Sequence, residues 1–473
     1  MLHIPILRHG QRYESVEKID LLHHATGQVV AQVSQANSGL PARDIGRMDD
    51  TVLERFTIAE LMAICRKAAQ LFMTANLPIG QSEQSFDDYI AQLSATTGMP
   101  MTYCRNNAAK IHQVMDDIAQ VVTGLTRGFD LTILDTGFGQ DGDRTLSYFR
   151  EGRIFGAVLP SNSPGVHSLW VPAFVFKAPI VLKPGREEPW TPWRIIQAFI
   201  AAGAPAQAFG FYPTDHAGAG ELLRCVNRSM LFGGGATVRP YQNDPAVELH
   251  GPGYSKVVLG DDAAEHWQDH LDVIASSILA NGGRSCINAS GVWTPKHGQV
   301  IAQALAERFA KIKALPAQDP EAQIAAFANP AVARGIDALI DQCLRDESAV
   351  DLTERVRGSS RLVEKDGLAW LLPTVVWCGD RQHALANTEY LFPFAAVVEC
   401  PTADIPGAMG PSLVVSAITA DKPFTTALMN AANVDRLNIG VIPTYRISWD
   451  QPHEGNLFEH LYRQRAFQTE SAA

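Results

Sequence analysis

The hydrophobic and polar positions divide the chain into a helical N-terminal part and a longer part in which short apolar runs alternate with helices. Between about residues 50 and 125, apolar side chains recur every three or four positions, beginning with Leu53, Phe56, Ile58 and Leu61. That spacing places apolar side chains on one face of a helix. The pattern therefore predicts a helical layer ahead of the rest of the fold.

The segment from residue 129 to 150 has a different pattern. Two short β-prone pieces, 131–134 and 146–149, flank a segment rich in glycine and aspartate at 137–143. Such a segment favours a turn between two strands. We expect a hairpin or arm here, and the polar and aromatic residues after position 446 are typical of a second arm or tail.

From residue 153 to about 259, short apolar runs alternate with helical stretches. The runs lie at 154–159, 179–182, 208–212, 230–232 and 257–259, and the helices are expected at 166–177, 191–202 and 216–225. Repeated strand–helix–strand units indicate an α/β fold with a doubly wound parallel sheet, whose ligand crevice lies at the carboxyl ends of the strands. A further helix is expected at 263–281, followed by mixed α/β structure to about residue 445.

Composition narrows the class of protein. The chain has 473 residues, of which 46% are hydrophobic and 19% charged, a globular composition too long for one core. Its net charge is −11 and it has no Lys/Arg-rich run, so nucleic acid is not an expected partner. The first residues lack a leader pattern, and no long apolar window indicates a membrane span. Its seven cysteines show no CxxC spacing, which argues against a disulfide framework or a bound metal and favours the cytoplasm.

Cys286 is the first candidate for chemistry. It follows Asn281-Gly-Gly-Arg-Ser, where the glycine pair opens the backbone and Arg284 is expected to favour the thiolate. A thiolate is the form that covalent catalysis requires. A single cysteine is more often a small buried hydrophobic residue, so the assignment depends on its surroundings.

Five other segments accompany Cys286 in a fixed order. They are Pro160-Ser-Asn-Ser-Pro164, Val181-Leu-Lys-Pro184, Phe232-Gly-Gly-Gly235, Glu248-Leu-His-Gly251 and Glu389-Tyr-Leu-Phe-Pro393. Together with the cysteine they resemble, in order and approximate spacing, the signatures of the aldehyde dehydrogenase superfamily. The resemblance covers roughly residues 120–455.

The resemblance implies a fold and an assembly. We expect an aldehyde dehydrogenase-like α/β architecture with a Rossmann-type dinucleotide-binding domain at 1–128 and 151–255. A catalytic domain would span 256–445, and a small β oligomerisation arm would combine 129–150 with 446–473. Members of the superfamily associate in this way, which implies a homodimer or homotetramer.

The resemblance also implies a reaction, the oxidation of an aldehyde to a carboxylate with NAD or NADP. Cys286 would add to the aldehyde carbon and pass through a thiohemiacetal to a thioester. The Asn162 amide and the Cys286 backbone N–H would hold the oxyanion, and Glu248 would activate the water. The residues that would bind the cofactor are Lys183 and Glu389 at the two riboses, Leu391 beside the nicotinamide ribose, and Pro160, Ser161, Gly233, Gly234 and Gly235 in neighbouring turns.

Some positions depart from the family pattern. The short segment between Phe232 and Glu248 contains Pro240 and Pro245 and leaves no room for a long helix. A short segment at this position is similar to that of the CoA-acylating members, or acyl-CoA reductases, which use coenzyme A as the acyl acceptor. A hydrolytic dehydrogenase, a CoA-linked one and a non-catalytic binding scaffold therefore all remain open.

Two further features bear on specificity. Arg186 suits the 2′-phosphate of NADP whereas Glu187 suits the 2′-hydroxyl of NAD, so the sequence leaves the cofactor open. Aromatic residues near the expected substrate segments, namely Trp170, Phe174, Trp293 and Trp449, are candidate pocket walls and hint at an apolar or aromatic aldehyde.

Overall fold

The computed structural model describes residues 1–468, whose helices and strands fall into three stretches. The first contains β1 Leu2–Ile4, β2 Ile6–Arg8, β3 Gln11–Tyr13, β4 Lys18–Leu22, β5 Val29–Ser34, α1 Gly39–Ile45, α2 Ile58–Thr74, β6 Leu77–Ile79, β7 Ser82–Gln84, α3 Phe86–Thr97, α4 Met101–Asp116 and α5 Ile118–Leu125. The second contains α6 Ile133–Thr136, β8 Phe138–Asp141, β9 Arg144–Arg150, β10 Phe155–Val158, α7 His167–Trp170, α8 Pro172–Val175, β11 Ile180–Lys183, α9 Trp190–Ala202, β12 Phe209–Phe211, α10 His216–Cys225, β13 Arg228–Phe232, α11 Gly235–Val238 and β14 Val247–His250. The third contains β15 Ser255–Leu259, α12 Asp261–Ala264, α13 Leu271–Leu279, β16 Ala289–Thr294, α14 Gly298–Phe309, α15 Pro330–Cys343, β17 Ala349–Asp351, α16 Leu352–Arg357, β18 Leu362–Lys365, β19 Leu368–Leu371, β20 Thr374–Cys378, β21 Phe394–Glu399, α17 Ile405–Ala408, β22 Ser412–Ile418, α18 Lys422–Met429, β23 Val434–Ile439, α19 Leu457–Leu461 and β24 Tyr462–Gln464.

The first large sheet has seven strands in the order β14-β13-β10-β11-β12-β2-β3. Strands β10 to β14 are parallel, whereas β2 and β3 add antiparallel edges. Helices α2 and α9 contribute to the apolar core on one face, and α1 and α10 to that on the other. The sheet is therefore doubly wound, as predicted, and its parallel strands end at a common edge.

The second large sheet has the order β17-β20-β21-β16-β15-β22-β23 and is parallel except for its edge strand β17. Apolar residues of α13, α14 and α16 pack on one face, and those of α15, α17 and α18 on the other. Every strand of this sheet lies between residues 255 and 439. The chain crosses from the first sheet to the second between β14 and β15, over only four residues, 251–254.

Two three-stranded sheets and two two-stranded ones, β6-β7 and β18-β19, lie outside these layers. Strands β24, β9 and β8 form an antiparallel sheet that joins the C-terminal segment to the hairpin near residue 140. Strands β1, β5 and β4 form a second small sheet at the N-terminus, which the sequence pattern did not predict. Part of the predicted arm, residues 469–473, lies outside the described residues.

Several predicted elements have different bounds. The piece at 131–134 is not a strand, because Asp130 accepts the Thr132 N–H and starts a helical turn, and the hairpin instead uses β8 and β9. The helix predicted at 166–177 is split into α7 and α8 at Pro172, whose ring cannot continue a helix. The helix predicted at 263–281 is likewise broken into α12, a 3-10 turn and α13.

The helical layer at the N-terminal side forms as predicted but is interrupted by the β6–β7 hairpin. Helix α2 begins at a capping box in which Thr57 accepts the Glu60 N–H and the Glu60 carboxylate accepts the Thr57 N–H. The buried Arg194 of α9 donates to the carbonyls of Phe72 and Ala75 at 2.8 and 2.9 Å, which fixes the end of α2 against α9. Within residues 1–468 no helix combines the length and apolar character needed to cross a membrane.

Candidate active site

A cavity of about 360 Å³ lies where the carboxyl edge of the first sheet meets the turn that carries Cys286. Its position is the one expected for a ligand in a doubly wound fold. The residues that line it are Pro160, Asn162, Ser163, Val166, Phe232, Gly233, Gly234, Gly235, His250, Gly251, Pro252, Arg284, Cys286, Glu389, Tyr390 and Leu391. Eight residues of the predicted site thus share one cavity, whereas Ser161, Lys183 and Glu248 do not line it.

The turn before Cys286 depends on its glycines. After α13 the backbone is left-handed at Asn281 (φ 53°), Gly282 (64°) and Gly283 (69°), a conformation that L side chains rarely adopt. A Cβ at Gly283 would overlap the backbone of Phe392 and Pro393. The glycine pair therefore reverses the chain and brings the cysteine turn against the segment that carries Glu389.

Hydrogen bonds hold the cysteine turn on both sides. The Ser255 hydroxyl donates to the Cys286 carbonyl at 2.7 Å, and the Ser285 N–H donates to Asn288 Oδ1 at 2.9 Å. The Asn107 amide donates to Asn281 Oδ1 at 2.7 Å, which ties the turn to helix α4. The backbone of the turn that carries Cys286 is thus fixed by the protein's own hydrogen bonds.

The thiol of Cys286 is held in its protonated form. Burial raises its pKa well above the usual value, and the negative charges of Glu454 and Glu389 add to the effect. The backbone N–H groups of Cys286 and Ile287 hydrogen-bond the sulfur and oppose the shift without cancelling it. A nucleophilic role therefore requires a base that removes the thiol proton.

The expectation that Arg284 favours the thiolate is wrong. Its guanidinium group donates to the Ala326 carbonyl at 3.0 Å and lies over the Phe327 ring at 5.2 Å. The side chain therefore points into the packing between the two halves of the molecule, where carbonyl acceptors replace water. Arg284 is a structural residue of the turn, and the groups that oppose the raised pKa of the cysteine are the backbone N–H groups of Cys286 and Ile287.

Asn162 follows β10 and faces the cysteine turn. Its Nδ2 donates one hydrogen to the Arg284 carbonyl at 2.7 Å, which leaves the second hydrogen of the amide for a ligand. Ser161 and Pro160 instead pack against Gly185, where a Cβ would overlap both residues. The Ser161 hydroxyl accepts the Glu187 N–H at 3.2 Å, so this turn fixes the loop after β11.

Glu389 is the titratable carboxylate of the cavity. Burial raises its pKa to about 7, although the N–H groups of Tyr254 and Gly253 and the charge of Lys256 favour the ionised form. Its Oε2 accepts the Tyr254 N–H at 2.7 Å. A carboxyl with a pKa near neutrality, beside a protonated thiol, has the properties of a general base.

Glu248 is placed differently from the prediction. Its Oε1 lies 2.9 Å from His250 Nε2, and the carboxylate lines a separate cavity of only about 30 Å³, together with Trp449 and Gly455. The predicted role of Glu248 as general base has no support in this placement. The side chain instead belongs to a buried charged cluster formed by Glu248, His250, His453 and Glu454.

His250 is the centre of this cluster. Its Nδ1 lies 2.7 Å from Glu454 Oε2, and its ring stacks on Phe232 with centroids 4.3 Å apart. Burial alone would disfavour the charged imidazole, but Glu454 and Glu248 outweigh it and raise the pKa to about 10. The imidazolium therefore joins β14 to the C-terminal segment and presents a fixed positive charge at the wall of the main cavity.

A nicotinamide dinucleotide fits the residues at the sheet edge. Gly234 and Gly235 face open space, with no atom within 4 Å of a Cβ built on either, and Leu391 is 43% exposed at the cavity mouth. Lys183 is the last residue of β11, where burial lowers its pKa and the carboxylates of Glu187 and Asp215 oppose the shift. Within residues 1–468 its ammonium group makes no hydrogen bond or ion pair, so it is available to hydroxyl groups.

The phosphate side of such a site lacks a long helix, as predicted. After Gly234 the chain forms only α11 and a 3-10 turn at Arg239–Tyr241. Proline at 240 removes an N–H donor and limits continuation of the helix. A dinucleotide would have to be held mainly by the open glycine turn and by Lys183.

Sequence patterns missed or misplaced some residues. His250 and Glu454 carry no motif, and the only signal was the histidine that follows Glu248-Leu. Three of the predicted aromatic walls, Trp170, Phe174 and Trp293, are fully buried core residues, and Trp449 lines only the 30 Å³ cavity. The expectation of an aromatic pocket is therefore wrong for these residues.

Comparisons with known proteins agree with the geometry. The chain is 23% identical over 395 residues to the betaine aldehyde dehydrogenase of Vibrio vulnificus strain YJ016, covering 78% of this chain and 75% of that protein. The solved structure of an aldehyde dehydrogenase from Bacillus cereus in complex with NAD+ superposes with a TM-score of 0.78 at 15% identity, covering 98% of this chain and 96% of the other. An NADP-dependent enzyme of E. coli gives a TM-score of 0.78 at 15% identity, with 98% of each chain covered. The model of the aldehyde dehydrogenase family matches residues 11–405. The chain therefore belongs to the aldehyde dehydrogenase family.

Proposed function

We propose that this protein is a nicotinamide-dependent aldehyde dehydrogenase that oxidises an aldehyde to a carboxylate through a thioester on Cys286. The observation that carries the proposal is the shared cavity of Cys286, Asn162 and Glu389 beside an open glycine turn. Family membership supports an oxidoreductase that acts on aldehydes. The residue chemistry supports the steps that follow.

Cys286 is the nucleophile in this proposal. Its sulfur forms a bond with the aldehyde carbon, and the carbonyl oxygen becomes an oxyanion. The free N–H of the Asn162 amide is positioned to hold that oxyanion, since the other N–H is occupied by the Arg284 carbonyl. After loss of hydride from the carbon, the acyl group remains on the sulfur as a thioester.

Glu389 is the proposed base. It lines the same cavity as the thiol, and its pKa of about 7 lets it take a proton at neutral pH and release it again. The same group would serve both thiol activation and the attack of water on the thioester. Glu248 is the alternative for the second step, but its carboxylate is engaged with His250.

The cofactor would be held by Lys183, the Gly233–Gly235 turn, Leu391 and the Pro160–Ser161 turn. The chemistry that a bound nicotinamide supplies is acceptance of hydride. Two carboxylates, Glu187 and Asp215, interact with Lys183, whereas Arg186 is exposed. Negative charge at this position disfavours a 2′-phosphate, so NAD is the proposed cofactor over NADP.

A CoA-acylating dehydrogenase is the second candidate. The absence of a long helix between residues 235 and 246 favours it, because the segment resembles the shortened one of CoA-linked members. In that reaction the thiol of coenzyme A, rather than water, takes the acyl group from Cys286. Both candidates share the same first half-reaction.

One experiment separates the candidates. Purified protein is mixed with NAD or NADP and a panel of aldehydes, with and without coenzyme A, and formation of reduced cofactor is followed beside a Cys286→Ala control. Turnover that needs Cys286 but not coenzyme A supports the hydrolytic enzyme, and turnover only with coenzyme A supports the acylating one. Absence of turnover and of cofactor binding under every condition would overturn both and favour a non-catalytic scaffold.

A further inference from the structure

A second cavity, of about 310 Å³, adjoins the turn that carries Cys286. Ser285 and Ile287, the two neighbours of the nucleophile, line this cavity, whereas Cys286 lines the first one. Its wall consists of Tyr103, Asn106, Asn107, Lys110, Ala280, Asn281, Ser285, Ile287, Asn288 and Tyr445. The volume lies at the lower end of the range for small-molecule sites, which suits a short substrate.

One face of helix α4 forms the polar wall of this cavity. Tyr103, Asn106, Asn107 and Lys110 are spaced at i, i+3, i+4 and i+7 and therefore lie on one side of the helix. The opposite side buries apolar residues in the core of the first half of the molecule. The polar stripe thus faces the cysteine turn, and only part of it is used to hold that turn.

The donors of the cavity divide into two groups. The side-chain amides of Asn107, Asn281 and Asn288 all donate to protein acceptors. Lys110, Asn106 and Tyr445 make no side-chain hydrogen bond or ion pair within residues 1–468. Three donors that can reach a ligand are therefore present beside the nucleophile.

Lys110 is the charged member of this group. It is partly buried, and burial lowers the pKa of its ammonium group, a shift that only the ionised form of Cys286 opposes. Among residues 1–468 none that lines the cavity is acidic, although the chain carries a net charge of −11. A partly buried ammonium group without a carboxylate is costly unless a ligand supplies the negative charge.

We propose that this second cavity binds a carboxylate at the far end of the aldehyde substrate, with Lys110 as its charge partner and Asn106 and Tyr445 as neutral donors. The proposal rests on the proposed function and deepens it, because it names the substrate class as short aldehydes that carry an acid group. One cation with neutral donors suits a carboxylate monoanion. A phosphate dianion would require more positive charge than the wall provides.

Two other substrate classes fit the wall less well. An apolar or aromatic aldehyde would leave the Lys110 ammonium group buried without a partner, and the predicted aromatic walls lie elsewhere. A cationic aldehyde would be repelled by Lys110. The carboxylated aldehyde alone matches both the charge and the free donors.

The kinetic test compares glutaric semialdehyde with pentanal, which differ by the terminal carboxylate. We expect the wild-type protein to prefer the carboxylated aldehyde by about 10- to 100-fold in kcat/KM, as hydrogen bonds to a charged group allow. Lys110→Met should abolish most of this preference by raising KM for glutaric semialdehyde. Lys110→Arg should retain part of the preference. Lys67→Met, at an exposed lysine of helix α2, is the matched control and should leave the ratio unchanged.

A binding test does not depend on turnover. Calorimetric titration of the whole protein with glutarate should show binding that Lys110→Met weakens at least about tenfold, with the thermal midpoint of the variant used to verify folding. If glutarate binds in this way but no aldehyde is oxidised, the carboxylate site stands and the proposed function fails. If aldehydes are oxidised without preference for the carboxylate and glutarate does not bind, the proposal is overturned.

Two further outcomes would also overturn it. An equal loss of activity of Lys110→Met on both aldehydes would mean that Lys110 acts on the Cys286 thiol and not on the substrate. A preference for glyceraldehyde 3-phosphate over glutaric semialdehyde would assign the cavity to a phosphate.

Discussion

Replacement of Glu389 by glutamine is the sharpest test of the proposed acid–base chemistry. The amide oxygen of glutamine can still accept the Tyr254 N–H that Glu389 Oε2 accepts at 2.7 Å, so the loop between the two sheets should keep its position. The change removes the negative charge and the ability to take a proton. Any loss of activity then reports on chemistry more than on folding.

The expected loss of activity in Glu389→Gln follows from the proposed role of Glu389 as general base. A positioned general base contributes about 10²- to 10⁴-fold, so kcat of Glu389→Gln should fall within that range. Because the active form of the wild-type group is the carboxylate, wild-type activity should rise with pH through about 7 and then level off. The variant should lack this limb of the pH profile.

Glu248→Gln is the matched control, since the two carboxylates were both candidates. Its amide can still hydrogen-bond His250, but the imidazolium keeps only one of its two carboxylate partners. We expect a lower thermal midpoint with kcat within about tenfold of the wild type, less than the loss of a general base would cause. Steady-state kinetics from pH 5 to 9 and thermal unfolding, measured on both variants, give the comparison.

Two results would exclude Glu389 as the general base. A large fall in kcat for Glu248→Gln beside a small one for Glu389→Gln would return the role of base to Glu248. A rise in KM for NAD in Glu389→Gln, with kcat and the pH limb unchanged, would make Glu389 a ribose-binding residue only.

Further expectations concern stability, cofactor choice and assembly. Arg361 is almost fully buried among Asp337, Asp341, Asp351 and Glu354, so Arg361→Met should lower the free energy of unfolding by about 3–5 kcal/mol in urea denaturation; no change would contradict the buried cluster. Glu187→Gln should raise kcat/KM for NADP relative to NAD by up to about fivefold, and a fall would place the 2′-phosphate elsewhere. Gly283→Ala should cost about 1–3 kcal/mol in thermal unfolding and lower kcat, because the left-handed φ and the contact with Pro393 strain any side chain there. The β24-β9-β8 sheet should join subunits, so light scattering should give at least twice 51.4 kDa, whereas a single-chain mass would contradict the oligomer.

Four strands of the first sheet, β10 to β13, were predictable because each contains a continuous apolar run, whereas the run at 257–259 is β15 of the second sheet. Residues 179–182 and 208–212 are examples, and each is followed by a helix with its own apolar face. Elements that are held mainly by pairing with distant segments were not predictable from the sequence. Strands β1 to β5 are short, and β3 and β4 are largely exposed, so no periodic apolar signal marks them.

The candidate site was likewise predictable only in part from the sequence. Asn162 and the glycine turn follow strands of the first sheet, whereas Cys286 and Glu389 precede the paired strands β16 and β21 of the second, and all of them line one cavity. The direction of a side chain is not encoded in a motif. Glu248 turns toward His250, whose imidazole also contacts Glu454 of the C-terminal segment, more than 200 residues away in sequence.

The position of Lys110 in the second cavity was also not predictable from the sequence. Its spacing with Tyr103 and Asn107 marks one helix face, but the sequence does not reveal that this face meets the turn of Cys286. The contact depends on Asn107, whose amide donates to Asn281 in the turn before Cys286. Substrate specificity therefore becomes visible only when the two halves of the molecule are placed together.

The most direct test of the central claim is the mass of the protein after reaction. The protein is mixed with aldehyde and NAD without coenzyme A, and the reaction is quenched with acid within one turnover. The protein is then digested, and the mass of the peptide that contains Cys286 is measured by mass spectrometry. We expect this peptide to gain the mass of the acyl group, and we expect Cys286→Ala neither to gain it nor to form reduced cofactor. Turnover by Cys286→Ala, or an acyl group on any other residue, would contradict it.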